Sequence, residues 1–138
     1  MAYWFDGCFA HYDPALLSAL AARWPAARVR EFAHPFRGIG LRLLSLYDAR
    51  EPIVELIARF PAELLEFTHQ FPDVTFVCVK VECAGGDCDH WGYAARNGVK
   101  LAEEEEADSD GLQRLLAHLD IKLLHGVSFA PFERTYPW

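Results

Sequence analysis

The sequence predicts one α+β domain, in which helices pack on one face of a mainly antiparallel sheet. Three observations predict this class. The length of 138 residues suits a single domain, the 52% hydrophobic content suits a folded core, and strand-like segments alternate with helix-like ones. We find no internal repeat and no flexible linker. We therefore expect one domain over residues 1–138, with a ferredoxin-like split βαβ core.

The first half of the chain is predicted to form a strand, a helix and a hairpin. Residues 3–10 alternate in polarity, with Tyr3, Phe5 and Phe9 on one face. Asp13 and Pro14 are typical of a helix start, because aspartate caps free backbone amides and proline fits the first turn. Pro25 ends this helix. Two strands follow at residues 28–34 and 39–47, joined by a turn at 35–38.

The second half is predicted to form helices, a hairpin and a last helix. Residues 50–70 are helical in composition, and Pro61 predicts a kink or two short helices, because proline removes a hydrogen bond. Asn97-Gly98 predicts a type I′ turn, whose two central positions need positive φ. Gly126 suits the left-handed position after the last helix. The other predicted segments are strands at 74–83, 88–96 and 99–102, a solvated acidic connector, a helix at 111–124 with a leucine stripe, and a tail at 127–138 that is an edge strand or a docked arm.

The distribution of charge limits the kind of partner. The net charge is −7, and six of the twenty acids lie in residues 103–110, which contain no Lys or Arg. The rest of the chain is nearly balanced. Such a surface repels phosphate backbones and anionic lipid, so we expect no nucleic acid and no membrane as partner, and favour a basic protein. The alternative is a solvated loop whose charges favour the N-terminus of the next helix.

The opening residues and the apolar stretches indicate the compartment. The start of the sequence has no basic segment of the kind that secretory signals carry, and Asp6 interrupts its apolar run. The apolar stretches are far shorter than the roughly 20 residues that a membrane-spanning helix needs. We therefore expect a cytoplasmic location, where cysteines are reduced.

The cysteines raise the question of a metal or a disulfide. Cys83, Cys88 and His90 could supply three zinc ligands, with Cys8 or His11 as a fourth. However, structural zinc sites usually present two pairs of cysteines at a closer spacing. A disulfide between Cys83 and Cys88 across the turn is the other alternative. We predict that all cysteines are free and that neither a structural metal nor a cofactor is bound.

Catalytic patterns are weak in this sequence. Asp87, Asp89 and His90 could form an acid–base cluster at the mouth of a hairpin. A polar turn between two strands also needs such residues for backbone reasons alone. Gly85-Gly86 lacks the Gly-Lys-Ser/Thr ending of a phosphate-binding loop. We therefore predict that the protein has no catalytic residues and is not an enzyme. The alternative is an enzyme, or a metal or ligand sensor, that uses residues 83–90.

A partner-binding site is predicted at the Asn97-Gly98 turn and the acidic run, with Trp91 as an aromatic anchor. Dense charge of one sign steers association, whereas buried aromatic side chains prolong the complex. Trp138 is expected to dock on the domain rather than to meet a partner. The predicted site residues are Trp91, Asn97, Glu103, Glu104, Glu105, Glu106, Asp108 and Asp110.

Two segments resemble a pattern found in small bacterial α+β proteins. Residues 64–76, LLEFTHQFPDVTF, run from a helix through Phe-Pro-Asp into a strand, and residues 91–98, WGYAARNG, run from a strand into Asn-Gly. This order is similar to that of ferredoxin-like domains and of immunity proteins from bacterial polymorphic-toxin systems. The resemblance implies a small inhibitor that caps the basic cleft of a toxin with fixed negative charge. It assigns no catalytic residue.

Overall fold

The protein folds, in a computed structural model, as a six-stranded antiparallel sheet with three α-helices in its described part. The structure describes residues 3–43, 52–85, 87–107, 109–123, 129–133 and 136–138. The strands are β1 (Tyr3–His11), β2 (Arg28–Phe32), β3 (Gly38–Arg42), β4 (Phe76–Ala84), β5 (Asp87–Arg96) and β6 (Val99–Ala107). The helices are α1 (Pro14–Arg23), α2 (Pro52–Phe67) and α3 (Ser109–Ala117), with 3₁₀ turns at Thr68–Gln70 and Ala130–Phe132. The predicted α+β class is confirmed.

The sheet order is β2-β3-β1-β4-β5-β6, and every neighbouring pair is antiparallel. The first strand therefore lies in the middle of the sheet, between β3 and β4. The edges are β2, of five residues, and β6, of nine. This order leaves β4, β5 and β6 as a continuous antiparallel meander at one side of the sheet.

Both faces of the sheet are covered, so the structure does not place all helices on one face. Side chains alternate between faces along a strand. On β4, Cys78 joins a cluster that contains the apolar residues of α1 and α2, whereas Val77 and Val79 join a second cluster with the leucines of α3. Because β1 and β4 are apolar on both sides, each face needs its own cover. We refer to the α1–α2 side as the first face and to the α3 side as the second face.

The predicted start of α1 is confirmed. The Asp13 carboxylate accepts hydrogen bonds from the backbone amides of Ala15 (2.8 Å) and Leu16 (3.0 Å), and Pro14 occupies the first turn. Helix α1 ends before the Trp24-Pro25 pair, as expected. The apolar side of the helix is buried on the first face through Leu16, Leu20 and Trp24.

Helix α2 continues through Pro61, so of the two predicted alternatives, a kink or two short helices, the second is wrong. Pro61 has no N–H to donate to the carbonyl of Ile57, but the side chains around it hold the helix against the sheet. Phe60 and Leu64, on either side of the proline, are almost fully buried. Packing of this apolar stripe compensates for the lost hydrogen bond.

Strand β6 runs to Ala107, so residues 103–107 are strand and not a solvated connector. Pairing with β5 explains the difference, since Glu103 lies opposite Tyr93 and Glu104 opposite Gly92. Cross-strand partners can outweigh the weak strand preference of glutamate. The predicted Asn97-Gly98 turn before β6 is confirmed, with positive φ at both residues (48° and 78°).

Helix α3 ends at Ala117, earlier than predicted. Asp120 adopts a left-handed conformation (φ 58°), and the amides of Asp120 and Ile121 donate to the carbonyls of Ala117 (3.0 Å) and Leu116 (3.2 Å). This pattern is a Schellman end, which a non-glycine residue provides here. Gly126, which was expected in that position, lies outside the described residues. The predicted leucine stripe is buried at Leu112, Leu115, Leu116 and Leu119.

The described part of the tail docks on the second face, which confirms the docked-arm alternative. Phe129 is buried, and the Trp138 indole Nε1 donates to the carbonyl of Pro131 at 2.9 Å. The Trp138 ring lies beside Phe5, with 5.6 Å between centroids. Gly40 leaves room for that ring, because a Cβ there would come within 2.6 Å of it.

The remaining strand boundaries differ little from the predictions. Strand β2 ends at Phe32, two residues early, and β4 and β5 begin within two residues of their predicted starts. The part of the second predicted strand at residues 44–47 lies outside the described residues. So do the start of the predicted helix at 50–51 and the helix end at 124.

Candidate functional site

An open cavity of about 900 Å³ lies on the first face, beside α2. Helix α2 forms one side of it, strands β1, β4 and β5 form the base, and β6 forms the outer side. Side chains of β4, β5 and β6 line the cavity and are open to a ligand or a partner. The lining side chains that are charged or aromatic are Asp6, Phe60, Lys80, Trp91, Tyr93, Lys100, Glu103, Glu104 and Glu105.

The base of the cavity is built by strand register. Asp6 of β1 lies opposite Lys80 of β4, which lies opposite Trp91 of β5. These three side chains form one row across the first face, because directly opposed residues share a face. One step along the sheet, a second row contains Cys78 and Tyr93. The cavity thus joins a carboxyl, an ammonium and two aromatic rings.

Asp6 is an acid of the cavity whose pKa is strongly raised. Burial raises the pKa of its carboxyl from 3.8 to about 7, and the positive charge of Lys80 opposes this rise only in part. A carboxyl that titrates near neutral pH can exchange a proton with a ligand, or can accept a cation at the cost of its own proton. Asp6 therefore gives the cavity a carboxyl that can gain or lose a proton near neutral pH.

The second row of the base, which contains Cys78 and Tyr93, consists of side chains that stay protonated and unreactive. Burial and a hydrogen bond with Cys8 raise the pKa of the Cys78 thiol well above its usual value, and burial also raises that of Tyr93. Thiols in such surroundings stay protonated and are poor nucleophiles. The Tyr93 hydroxyl donates to the carbonyl of Pro61 at 3.3 Å, which joins β5 to α2. These groups shape the cavity and do not act in it.

The acidic rim of the cavity, formed by Glu103, Glu104 and Glu105, is partly neutralised by bases from outside residues 103–110. Arg114 of α3 donates two hydrogen bonds to Glu104, at 2.7 and 3.1 Å, and the Glu104 side chain is only 22% exposed. Lys100 lies 3.3 Å from Glu103 and 4.8 Å from the centroid of the Tyr93 ring. Glu103 remains 53% exposed, and Glu105 is exposed as well. The exposed negative charge of the rim is therefore concentrated at these two glutamates, of which Glu103 is paired with Lys100.

The structure brings together four of the eight predicted site residues and separates others. Trp91, Glu103, Glu104 and Glu105 line the cavity. Asn97 is exposed at the far end of β5, in a turn held to the 3₁₀ turn after α2 by a 2.7 Å hydrogen bond from the Gly98 amide to the Thr68 hydroxyl. Asp110 lies in the first turn of α3. Asp108 and the side chain of Glu106 lie outside the described residues.

Sequence reasoning missed Asp6, Lys80, Tyr93 and Lys100. A usable signal existed for Asp6, because a single carboxylate inside an otherwise apolar strand must either be paired or titrate abnormally. The lysines gave no comparable signal, since Lys80 alternates normally with apolar neighbours. Their place in the cavity follows only from the pairing of β1 with β4 and of β5 with β6.

The predicted loop chemistry at residues 83–90 is not formed. Cys83 and Cys88 are opposite each other on β4 and β5 and form a disulfide, so the prediction that all four cysteines are free is wrong for this pair. The pairing of β4 with β5 brings their Cα atoms to 4.1 Å from each other. Cys8 and Cys78 are free and buried. Among the described residues, no group of three His, Cys, Asp or Glu side chains could hold a metal ion.

The proposed acid–base cluster at this hairpin does not converge either. Asp87 and Asp89 are exposed on one face of β5, and alternation places His90 on the other. The His90 ring lies 6.4 Å from the Phe132 ring, on the side where the tail docks. None of the three residues lines the cavity.

We expect a thiol titration to distinguish the disulfide from free cysteines. Unfolded, unreduced protein should show two reactive thiols, from Cys8 and Cys78, and reduced protein should show four. Changing both Cys83 and Cys88 to serine should lower the free energy of unfolding by about 2 kcal/mol, since the disulfide closes only a short loop. Four reactive thiols in the unreduced sample would contradict the structure.

Comparison with known proteins gives no family for the chain. No protein-family model, curated protein or solved structure matches it. The resemblance to immunity proteins therefore stays a prediction. Within the described residues, no helix is both long and apolar enough to cross a membrane.

Proposed function

We propose that the protein acts by binding another protein, as an immunity-type inhibitor that covers a basic surface of a toxin. The observation that carries this proposal is the meeting of Trp91, Glu103 and Glu105 at one open cavity. An aromatic side chain in a concave site with carboxylates at its rim suits a basic side chain from a partner. The partner's Lys or Arg would enter beside Trp91.

The distribution of charge in the cavity supports a basic partner. Glu103 and Glu105 are exposed at the outer side, whereas Lys80 lies beside Asp6 in the base and Lys100 is held over Tyr93. A partner that approaches β6 at Glu103 and Glu105 therefore meets carboxylates, of which Glu103 is paired with Lys100 of the same strand. Charge at the rim mainly increases the association rate, and the half-buried ring of Trp91 supplies apolar contact once the partner is in place.

We also propose a ferredoxin-like core for the fold. Chain order β1-α1-β2-β3-α2-β4, together with sheet order β2-β3-β1-β4, supports it. Strands β5 and β6 and helix α3 would then be additions that build the cavity.

We keep the cytoplasm as the proposed location, although the Cys83–Cys88 disulfide favours an oxidising compartment. The redox state of that pair in cells tests the location.

Site-specific photo-crosslinking in the source organism tests the binding function. A photoreactive amino acid at Glu105 should capture a basic protein, and the same group at Glu66, exposed on α2 away from the cavity, should not. With the captured protein in hand, Glu103→Gln/Glu105→Gln should slow association about 10-fold at low salt. The matched control is Glu55→Gln/Glu66→Gln. Equal capture at both positions, or equal association rates in both variants, would refute the proposal.

A second candidate function is favoured by one observation, the raised pKa of Asp6 at the base of the cavity. A carboxyl that titrates near pH 7 in a concave site suits general acid–base catalysis on a small substrate. This candidate replaces the enzyme alternative based on residues 83–90. If the cavity is a catalytic site, Asp6→Asn will abolish turnover of a substrate that the wild-type protein converts. If it is only a binding surface, Asp6→Asn will retain partner binding.

A further inference from the structure

Strand β6 is an open edge of the sheet. It pairs with β5 on one side, and within the described part of the chain no segment pairs with its other side. With nine residues it is long for an edge, and its outer N–H and C=O groups can accept another strand. The opposite edge, β2, has five residues, and its Arg30 side chain hydrogen-bonds the carbonyl of Pro137 in the docked tail. The two edges therefore differ in length and in cover.

The exposed apolar side chains point to the same edge. Val99 and Leu101 are 60% and 49% exposed, and they are the large hydrophobic residues that stand out as exposed among the described residues. Both belong to β6. Soluble proteins usually protect long edges with charged or bulged strands, so apolar side chains at an open edge indicate a contact surface.

The charges on β6 indicate which kind of strand can pair with its open edge. Antiparallel pairing of two whole copies of β6 would be centred on Glu103 and would place this carboxylate opposite its own copy. Like charges directly opposite each other destabilise a strand pair, and parallel pairing would also align acid with acid. A strand with Lys or Arg at alternate positions would instead lie opposite Glu103 and Glu105 without repulsion.

We propose that β6 binds an extended, basic segment of a partner protein as a seventh strand of the sheet. This proposal rests on the binding function above and names the form of the partner. Backbone hydrogen bonds to β6 provide affinity, and side chains at alternate positions provide specificity. One end of the added strand contacts Val99 and Leu101, and basic side chains follow along Glu103 and Glu105 into the open cavity beside Trp91.

A peptide experiment with the full chain tests strand addition. The probe is a nine-residue peptide of alternating lysine and valine, matched to the length of β6. One control is the same peptide with alternate backbone amides methylated, which keeps the charge but removes N–H donors. A second control replaces lysine by glutamate. We expect the basic peptide to bind at least about 10-fold more tightly than either control, and hydrogen exchange of β6 amides to slow in its complex.

Two variants separate the apolar contribution from the charge contribution. Val99→Thr/Leu101→Thr keeps strand-forming residues and should weaken peptide binding several-fold at any salt concentration. Glu103→Gln/Glu105→Gln should weaken it mainly at low salt, and Glu55→Gln/Glu66→Gln should leave it unchanged. Equal binding of the methylated peptide, or no slowing of exchange in β6, would overturn strand addition and leave only charge attraction.

Self-association is the rival outcome, since β2 carries Arg28 and Arg30 and could pair with β6 of a second copy. Concentration-dependent oligomers that dissociate on Arg28→Gln/Arg30→Gln would overturn the proposal in favour of that contact. The outcomes also separate strand addition from the binding function. Crosslinking at Glu105 without peptide binding refutes strand addition alone, whereas peptide binding without any crosslinked partner refutes the proposed function.

Discussion

Replacing Asp6 by asparagine will stabilise the protein at pH 8 and leave its stability nearly unchanged at pH 4. The folded state raises the pKa of the Asp6 carboxyl from 3.8 to about 7, so folding favours the protonated form. Between these two pKa values the unfolded chain releases a proton that the folded chain retains. The wild-type free energy of unfolding should therefore fall across this range as pH rises, and level off above it. Asparagine is neutral at every pH, so the variant should not show this fall in the free energy of unfolding.

The expected gain at pH 8 is roughly 2–4 kcal/mol, given about 1.4 kcal/mol per pKa unit and some solvent screening at this half-buried side chain. Urea unfolding of both proteins at several pH values measures it. Asp89→Asn, at an exposed carboxylate on β5, is the control substitution. A constant difference between Asp6→Asn and wild type from pH 4 to pH 8 would show that Asp6 titrates normally.

Replacing Phe9 by alanine will lower the free energy of unfolding by about 4 kcal/mol, through lost burial and the cavity left behind. Phe9 is fully buried at the centre of an aromatic cluster on the second face. Its ring centroid lies 5.0 Å from that of Phe129 and 5.7 Å from that of Phe5. Rings of Phe32, Phe132 and Trp138 complete its surroundings.

Urea unfolding at constant pH measures this effect. Phe36→Ala, at a half-buried ring on the margin of the same cluster, is the matched control. It should lower the free energy of unfolding by no more than about half as much as Phe9→Ala. Near-ultraviolet circular dichroism should change more in Phe9→Ala than in Phe36→Ala, because the tail rings contact Phe9. A loss below about 1 kcal/mol for Phe9→Ala would mean that the tail does not dock as described.

The parts of this fold that depend on residues adjacent in sequence could be predicted from the sequence. The Asp13 cap, the Asn97-Gly98 turn and the leucine stripe of α3 each follow from a few adjacent side chains, and each is present. The extension of β6 through Glu103–Glu105 was not predictable in this way. It depends on pairing with β5, which supplies hydrogen bonds that a run of glutamates does not suggest.

The candidate site was predictable only in part, for the same reason. Trp91 and the glutamates of β6 stood out by aromatic character and charge. Asp6, Lys80 and Lys100 come from three different strands, and their meeting depends on sheet order and register. The Cys83–Cys88 disulfide depends on the pairing of β4 with β5, which an argument from the redox state of the compartment does not include.

The central position of β1 has a consequence for how the chain folds. Its partner β4 follows only at residues 76–84 of the chain, and the side chains of α3 and Phe129 that cover Phe5 and Phe9 follow later still. The β2–β3 and β4–β5–β6 hairpins can form from local contacts, whereas insertion of β1 between β3 and β4 must close a long loop. Refolding should thus be limited by a late, long-range step. Until that step, the nascent chain exposes an aromatic strand that chaperones can bind.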